Sequence, residues 1–394
     1  MPAIWLLGLV SCFTDISSEM VASVLPVYLF VHLQLSPLEF GVLDGLYQGV
    51  SAVARLAAGV VADRWQRHKA TAVVGYGLSA LCKLGLLAAG QTFGGLAAVL
   101  SIDRIGKGIR TAPRDALIAL HATRANLAAS FGVHRALDAA GVVIGPLLAF
   151  AVLRTAPGSF DAVFVTSVAA AMVGLALLVL LVDDKRADAA RPAVPLRDLL
   201  AICRDSRIRW IAMTAALSSV AIMSDAFLYL ILTSRTGYAV ERLPLLYVGT
   251  ACVFLALAMP LGRWADRRGR SRVFVGGHLL MVTVYGGMFL VTDTPALIAC
   301  LVLHGAYYAA TDGVLAALAS HALPDELRAT GLAALATLTS LGRLCGSVLL
   351  GLAWTWQGPA GAAVFASLAT LVALLLTAPA LIRSEGMLAS GASA

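Results

Sequence analysis

At 394 residues the chain has a mean hydropathy of +0.87 and only 13% charged side chains, too few to hydrate the surface of a soluble protein. A soluble enzyme or binding module is therefore excluded, and a polytopic membrane protein is implied. The net charge of +7 raises nucleic acid as a partner, so the placement of the 29 Lys and Arg residues decides. Eighteen fall in the loops, turns and tail assigned to one side, three (Arg154, Arg235 and Arg242) in loops assigned to the other, and eight within spans. That asymmetry is the positive-inside pattern, which places both termini in the cytoplasm and leaves no need for a nucleic-acid partner.

Twelve windows of about 20 apolar residues, enough to cross roughly 30 Å of hydrocarbon, are expected at 4–31, 38–61, 70–91, 95–118, 126–153, 160–182, 208–232, 243–264, 272–292, 295–319, 327–353 and 360–382. The opening "MPAIWLLGLVSC" has the look of a lipoprotein leader, but no Lys or Arg precedes the apolar run and it continues past Cys12, so a first transmembrane helix is expected. The polar stretch from Asp183 to Arg207 divides the spans six and six. The expected organisation is an N-terminal bundle over 1–182, a cytoplasmic linker over 183–206, a C-terminal bundle over 207–382 and a cytoplasmic tail over 383–394. The six cysteines are scattered singly, without CxxC spacing, and read as small packing residues; neither metal nor cofactor is expected.

The charges inside the spans carry the chemistry. In span 1, Ser11, Asp15 and Glu19 recur every four residues and share a face. Span 2 holds Asp44 and ends in "GVVADRWQRHK", with Gly59, Asp63, Arg64 and Arg67; span 3 holds Lys83. Span 4 reads "SIDRIGKGIRTAPRD", residues 101–115. At 1.5 Å per residue from Gly95, Arg104 lies about 14 Å deep, where it cannot reach a headgroup and must face a partner or a water-filled cavity. Lys107 follows one turn on, whereas Arg110 and Arg114 are near enough to the cytoplasmic end to snorkel. Asp15, about 17 Å in from Ile4, is nearly level with Arg104, which makes it a candidate partner by depth, with Glu19 in support; equal depth is not contact, and the pairing stays open. Span 5 offers His134, Arg135 and Asp138, the last two spaced as a local pair, and then "GVVIGP", Gly141 to Pro146. In the second half the candidates are Asp225 in span 7 and His304, Tyr307, Tyr308 and Asp312 in span 10; Arg343 in span 11 is a further intramembrane charge. No partner is evident for Asp44, Lys83 or Arg343.

The two halves echo each other. "GVVADRWQRHK" after span 2 answers "GRWADRRGRSR" (Gly262, Asp266, Arg267, Gly269, Arg270) after span 8, and Gly141xxxGly145 answers Gly342xxxGly346. Duplicated six-helix halves are the mark of secondary transporters. The repeated loop resembles the loop motif of the major facilitator superfamily, the first copy departing from it at Gln66. Gly141, Gly145 and Pro146 resemble the GxxxGP motif of that superfamily's exporting, antiporter branch, and Arg104xxxGly108 resembles its span 4 motif, whose arginine is associated with proton coupling.

The resemblance implies an all-α membrane fold of twelve helices in two pseudo-symmetric six-helix bundles, with helices 1, 4, 7 and 10 lining a cavity. It implies Asp15, Glu19, Arg104 and Asp138 as proton-coupling groups. Lys107, His134, Asp225, His304, Tyr307, Tyr308 and Asp312 become cavity residues, and the two loop copies with Gly141, Gly145 and Pro146 become conformational gates. The expectation is a monomeric proton-coupled antiporter in the bacterial inner membrane, exporting a small molecule or ion. A static buried ion pair is the alternative for Asp15 and Arg104, and a proton-coupled importer is the alternative for direction. An intramembrane enzyme is disfavoured because no HExxH, GxSxG or Cys/His cluster occurs. A receptor is disfavoured because no large soluble domain is present.

Overall fold

The computed structural model describes the backbone of residues 2–65, 67–90, 92–123, 126–184, 205–324 and 327–391, and the side chains of these except 2, 56–65, 329 and 386–391. The described residues are helical almost throughout, with no strand among them. In chain order the helices are α1 (Pro2–Val27), α2 (Pro37–Trp65), α3 (His68–Ala88), α4 (Phe93–His121), α5 (Leu127–Thr155) and α6 (Phe160–Leu181). They continue with α7 (Ser206–Ala221), α8 (Asp225–Thr236), α9 (Pro244–Arg268), α10 (Arg270–Gly287), α11 (Thr294–Ala322) and α12 (Arg328–Gly391).

Three of the twelve expected spans depart from one separate helix each. The seventh is split into α7 and α8 by extended backbone at Ile222 and Ser224. The last two expected spans form one run, α12, turned at Gly358, whose φ of 71° is open to glycine and costly for other residues. Eight helical stretches among the described residues are long and apolar enough to cross a membrane on their own account. α4 is not among them, because its inner half carries Asp103, Arg104, Lys107, Arg110, Arg114 and Asp115.

Local signals set the helix ends. Ser36 and Glu39 form a reciprocal cap at the start of α2: the Ser36 N–H donates to Glu39 Oε2 at 2.9 Å and the Glu39 N–H to Ser36 Oγ at 3.3 Å. Asp293 accepts from the Ala296 N–H at 2.9 Å to cap α11, and α8 stops at Gly237, in the left-handed region at φ 62°.

The chain forms two compact units: Met1–Leu35 with Leu46–Ala193 and Ala239–Val248, and Ser36–Gly45 with Val194–Tyr238 and Gly249–Ala394. Most of the expected linker, residues 185–204, lies outside the described residues, and the expected tail begins inside α12. In unit 1 the core joins Leu7 and Val10 of α1, Tyr76 of α3, Leu117 and Ile118 of α4 and Leu178 of α6. In unit 2 it joins Ile211 of α7, Ala265 of α9, Phe274 of α10, Val314 and Leu318 of α11 and Leu381 of α12. Leu180, Leu375 and Leu376 are exposed on outer faces, as lipid-facing residues must be.

Because lipid is as apolar as leucine, close backbone packing rather than apolar burial holds such helices together. A Cβ on Gly141 would lie 2.7 Å from the Cys12 carbonyl oxygen and 3.0 Å from Asp15 Cβ; one on Gly145 would lie 2.7 Å from the Ile16 carbonyl oxygen. These two glycines therefore seat α5 directly on α1. In unit 2, Gly342 meets Ser219 Cβ and the Ala216 carbonyl oxygen, and Gly346 meets the Val220 carbonyl, seating α12 on α7 in the same way.

Candidate functional site

In unit 1 the buried Arg104 is bonded twice to Asp103 Oδ2, through Nε at 2.9 Å and through Nη2. Asp103 Oδ1 accepts from Ser79 Oγ at 2.5 Å and lies 3.4 Å from Lys83 Nζ, which also donates to the Ser79 carbonyl oxygen at 3.1 Å. The Arg104 guanidinium stacks 3.7 Å from the centroid of the Tyr47 ring. α2, α3 and α4 are thus tied by a closed network of one carboxylate, two cations, a hydroxyl and an aromatic face.

This corrects the candidate pairing of Asp15 with Arg104. Equal depth fixes a level in the membrane and says nothing of direction around the helix axis. The residue beside Arg104 in sequence supplied the carboxylate instead, because the guanidinium stem is long enough to bend back onto it. Lys83, without an evident partner in the sequence, belongs to the same network.

Asp15 and Glu19 remain on one half-buried face of α1, where the glycines of α5 press against them. Lys107 of α4 and Asp138 of α5 are within electrostatic reach of Asp15, and Arg104 and Lys107 are within reach of Glu19. Asp138 Oδ2 lies 3.5 Å from Nε2 of His134 one turn away, without a hydrogen bond between them, while Arg135 is exposed. Arg114 pairs with Asp115 at 2.9 Å and reaches Ser11 Oγ at 3.5 Å, while Arg110, expected to snorkel, is instead buried over the Tyr76 ring at 4.9 Å. Unit 1 therefore gathers the half-buried Asp15, Glu19, Lys107 and Asp138 and the buried His134 into one polar field.

Unit 2 is built around the break between α7 and α8. The freed Met223 N–H donates to Tyr285 Oη at 2.8 Å, which satisfies the backbone where the helix stops. Asp225 then stands in the first turn of α8, where the helix dipole favours a negative charge. Its Oδ1 accepts from Tyr308 Oη at 2.7 Å and contacts His304 Nε2 at 2.9 Å. The other ring nitrogen of His304 lies 3.2 Å from Met281 Sδ, and the imidazole has no exposed surface. Tyr307 lies parallel to the His304 ring and turns to a cavity of about 70 Å³ that it lines with Ser219, Tyr308, Asp312 and Arg343. Asp312 also lines a cavity of about 290 Å³ shared with Gly262, Asp266 and Arg270. Asp44, on the turns of α2 that belong to unit 2, accepts from Ser347 Oγ at 2.5 Å.

The second loop copy is well ordered by its own charges. Asp266 Oδ1 holds Arg270 through Nη2 at 2.7 Å and Nε at 2.9 Å, and Gly269 turns between α9 and α10 at φ 99°. Glu385 of α12, absent from the sequence expectations, caps α10 by accepting the Arg270 and Ser271 N–H groups at 2.7 and 2.9 Å. Its signal in the sequence was only a lone acid near the C-terminal end. Arg267 is exposed. In the first copy Arg67 is exposed just before α3, and the side chains of Gly59, Asp63 and Arg64 lie outside the described residues. Pro146 is buried inside α5. Among the described residues no group of three or more His, Cys, Asp or Glu side chains is placed to hold a metal.

The sequence pattern of the Major Facilitator Superfamily matches residues 7–259 and 227–388, which together span nearly the whole chain. The chain belongs to that superfamily. It is 27% identical over 360 residues to an uncharacterised MFS-type transporter of Methanocaldococcus jannaschii, covering 89% of this chain and 88% of that protein. An uncharacterised protein of Mycobacterium tuberculosis is 32% identical over 140 residues, 36% of this chain and 34% of the other. Among solved structures, a mutant of the nucleoside transporter NupG superposes with a TM-score of 0.81 at 14% identity, covering 97% and 99% of the two chains. A POT family transporter in complex with 5-aminolevulinic acid superposes with a TM-score of 0.78 at 14% identity, covering 96% of each. At such identity these structures show the fold alone. The superfamily member is a multi-pass membrane protein of the secondary transporter type, built as two bundles.

Proposed function

We propose that this superfamily member is a proton-coupled antiporter that exports a small molecule across the bacterial inner membrane. The observation that carries the reading is the placement of Asp15 and Glu19. Two carboxylates share one half-buried face of α1, lie against Gly141 and Gly145 of α5, and stand within electrostatic reach of Lys107 and Asp138.

Carboxylates clustered in a weakly hydrated site compete for one mobile cation. A proton arriving from outside neutralises one carboxylate and loosens its hold on Lys107; departure of that proton inside restores it. A substrate that needs the same carboxylates or the same lysine is displaced by the proton, which is the exchange an antiporter requires. The resemblance of Gly141xxxGly145-Pro146 to the exporting branch supports the outward direction for substrate. The closed network of Asp103, Arg104 and Lys83 is then a fixed brace: its carboxylate is shared by two cations and a hydroxyl and has no vacancy for a substrate.

The test is a host lacking its own exporters, grown across a panel of amphiphilic drugs, metal ions and toxic metabolites. Wild type should protect against at least one compound, and Asp15→Asn at matched membrane expression should not. Sensitisation of the host by wild type would point to import instead.

A further inference from the structure

We infer that the small cavity in unit 2 is a recognition site for a zwitterionic molecule, with Arg343 of α12 holding its acidic group and Asp312 of α11 its amino group. The inference rests on the transporter reading and goes beyond it by naming a substrate class.

Arg343 and Asp312 come from different helices and line the same cavity of about 70 Å³. Among the described residues neither makes an ion pair within 4.0 Å, with each other or with any other group, and neither side chain makes a hydrogen bond. The other charge in reach is already committed: Asp225 is bonded to His304 and Tyr308. Both side chains are exposed, so solvent completes them in the free protein, and a ligand bearing both signs can take the place of that water.

The uncommitted donor points the same way. The hydroxyls of Thr339, Thr311 and Ser218 are spent on backbone carbonyls of their own helices, whereas Ser219 Oγ makes no such bond. Ser219 can therefore join Arg343 in holding an acidic group. A simple anion would meet the Asp312 carboxylate, and a simple cation would meet Arg343. A ligand bearing both signs is repelled by neither. At roughly 10–15 Å³ per water position, the volume holds a few water molecules or a compact head group, so acid and amine must lie only a few bonds apart.

The test uses the full chain in lipid nanodiscs, with thermal unfolding followed by tryptophan fluorescence. The zwitterionic probes are glycine, alanine and γ-aminobutyrate; acetate, butyrate and n-butylamine are the single-charge controls. The expected result is a midpoint raised by at least one zwitterion, with affinity for the single-charge analogues weaker by about tenfold or more, the cost of one lost charged contact. Arg343→Gln and Asp312→Asn should each abolish that preference, and Asp312→Asn should leave butyrate bound at least as well as γ-aminobutyrate. Arg343→Lys, which keeps the charge, should retain part of the shift and shows that loss in Arg343→Gln is not misfolding.

If no zwitterion raises the midpoint of folded wild type, if single-charge analogues do so equally well, or if the shift survives both neutral substitutions, the inference is overturned. Binding is read without a pH gradient. Failure of proton-coupled export with binding intact would therefore sink the antiporter reading and leave this site standing.

Discussion

The two bundles use the same joint for different ends. In unit 1, Gly141 and Gly145 seat α5 on an α1 that runs unbroken through the contact and carries Asp15 and Glu19 along it. In unit 2, Gly342 and Gly346 seat α12 on α7, but the facing residue is Ser219, and the helix stops a few residues later at Ile222. The charge missing from that joint reappears past the break as Asp225, locked to His304 and Tyr308. Duplication thus preserves the backbone contact, which only glycine permits, and leaves the side chains around it free to diverge. Unit 1 holds two carboxylates along the joint; unit 2 holds one satisfied triad past the break and two exposed, opposite charges that line one cavity.

That contrast can be broken in graded ways. The largest effect is expected from Asp103→Ala, which leaves Lys83 and Arg104 as uncompensated buried cations and should cost about 3–5 kcal/mol, seen as a large drop in the unfolding midpoint. A small drop would mean that the network is well hydrated and no brace. Next come the joints: Gly145→Val and Gly346→Val should each cost about 1–3 kcal/mol by overpacking, and by similar amounts if the two contacts are equivalent. A tolerant Gly346→Val would show that the break after α7 absorbs strain which the unbroken α1 cannot.

Tyr308→Phe removes one hydrogen bond to a carboxylate and should cost about 1.5 kcal/mol, with Tyr307→Phe costing clearly less, since its hydroxyl is not bonded to a carboxylate. Equal costs would contradict the assignment of Tyr308 to Asp225. Arg135→Gln, at an exposed position that pairs with nothing in the site, should stay within about 0.5 kcal/mol of wild type.

Much of the architecture was legible in the sequence. Apolar window length, the alternation of Lys and Arg between loops and the echo of "GRWADRRGRSR" in "GVVADRWQRHK" gave helix number and duplication, since membrane thickness and loop charge act on the chain locally. Asp225, His304 and Tyr308 were legible as candidates because a polar residue at mid-depth must have a function or a partner. Partner choice was not legible. Arg104 and Asp15 are level, yet the angular position of each side chain is set by helix packing, and Asp103 was nearer. Glu385 was missed for a related reason: it acts on backbone N–H groups 115 and 114 positions away in sequence.

The central claim is that proton exchange runs through the carboxylate face of α1, and everted membrane vesicles test it most directly. Vesicles acidified inside by respiration and loaded with a pH-sensitive dye would receive, one at a time, the compounds against which wild type protects. Dye recovery on addition of a compound to wild-type vesicles, and its loss in Asp15→Asn vesicles with equal amounts of folded protein, is the predicted result. Equal recovery in Asp15→Asn vesicles would contradict the claim.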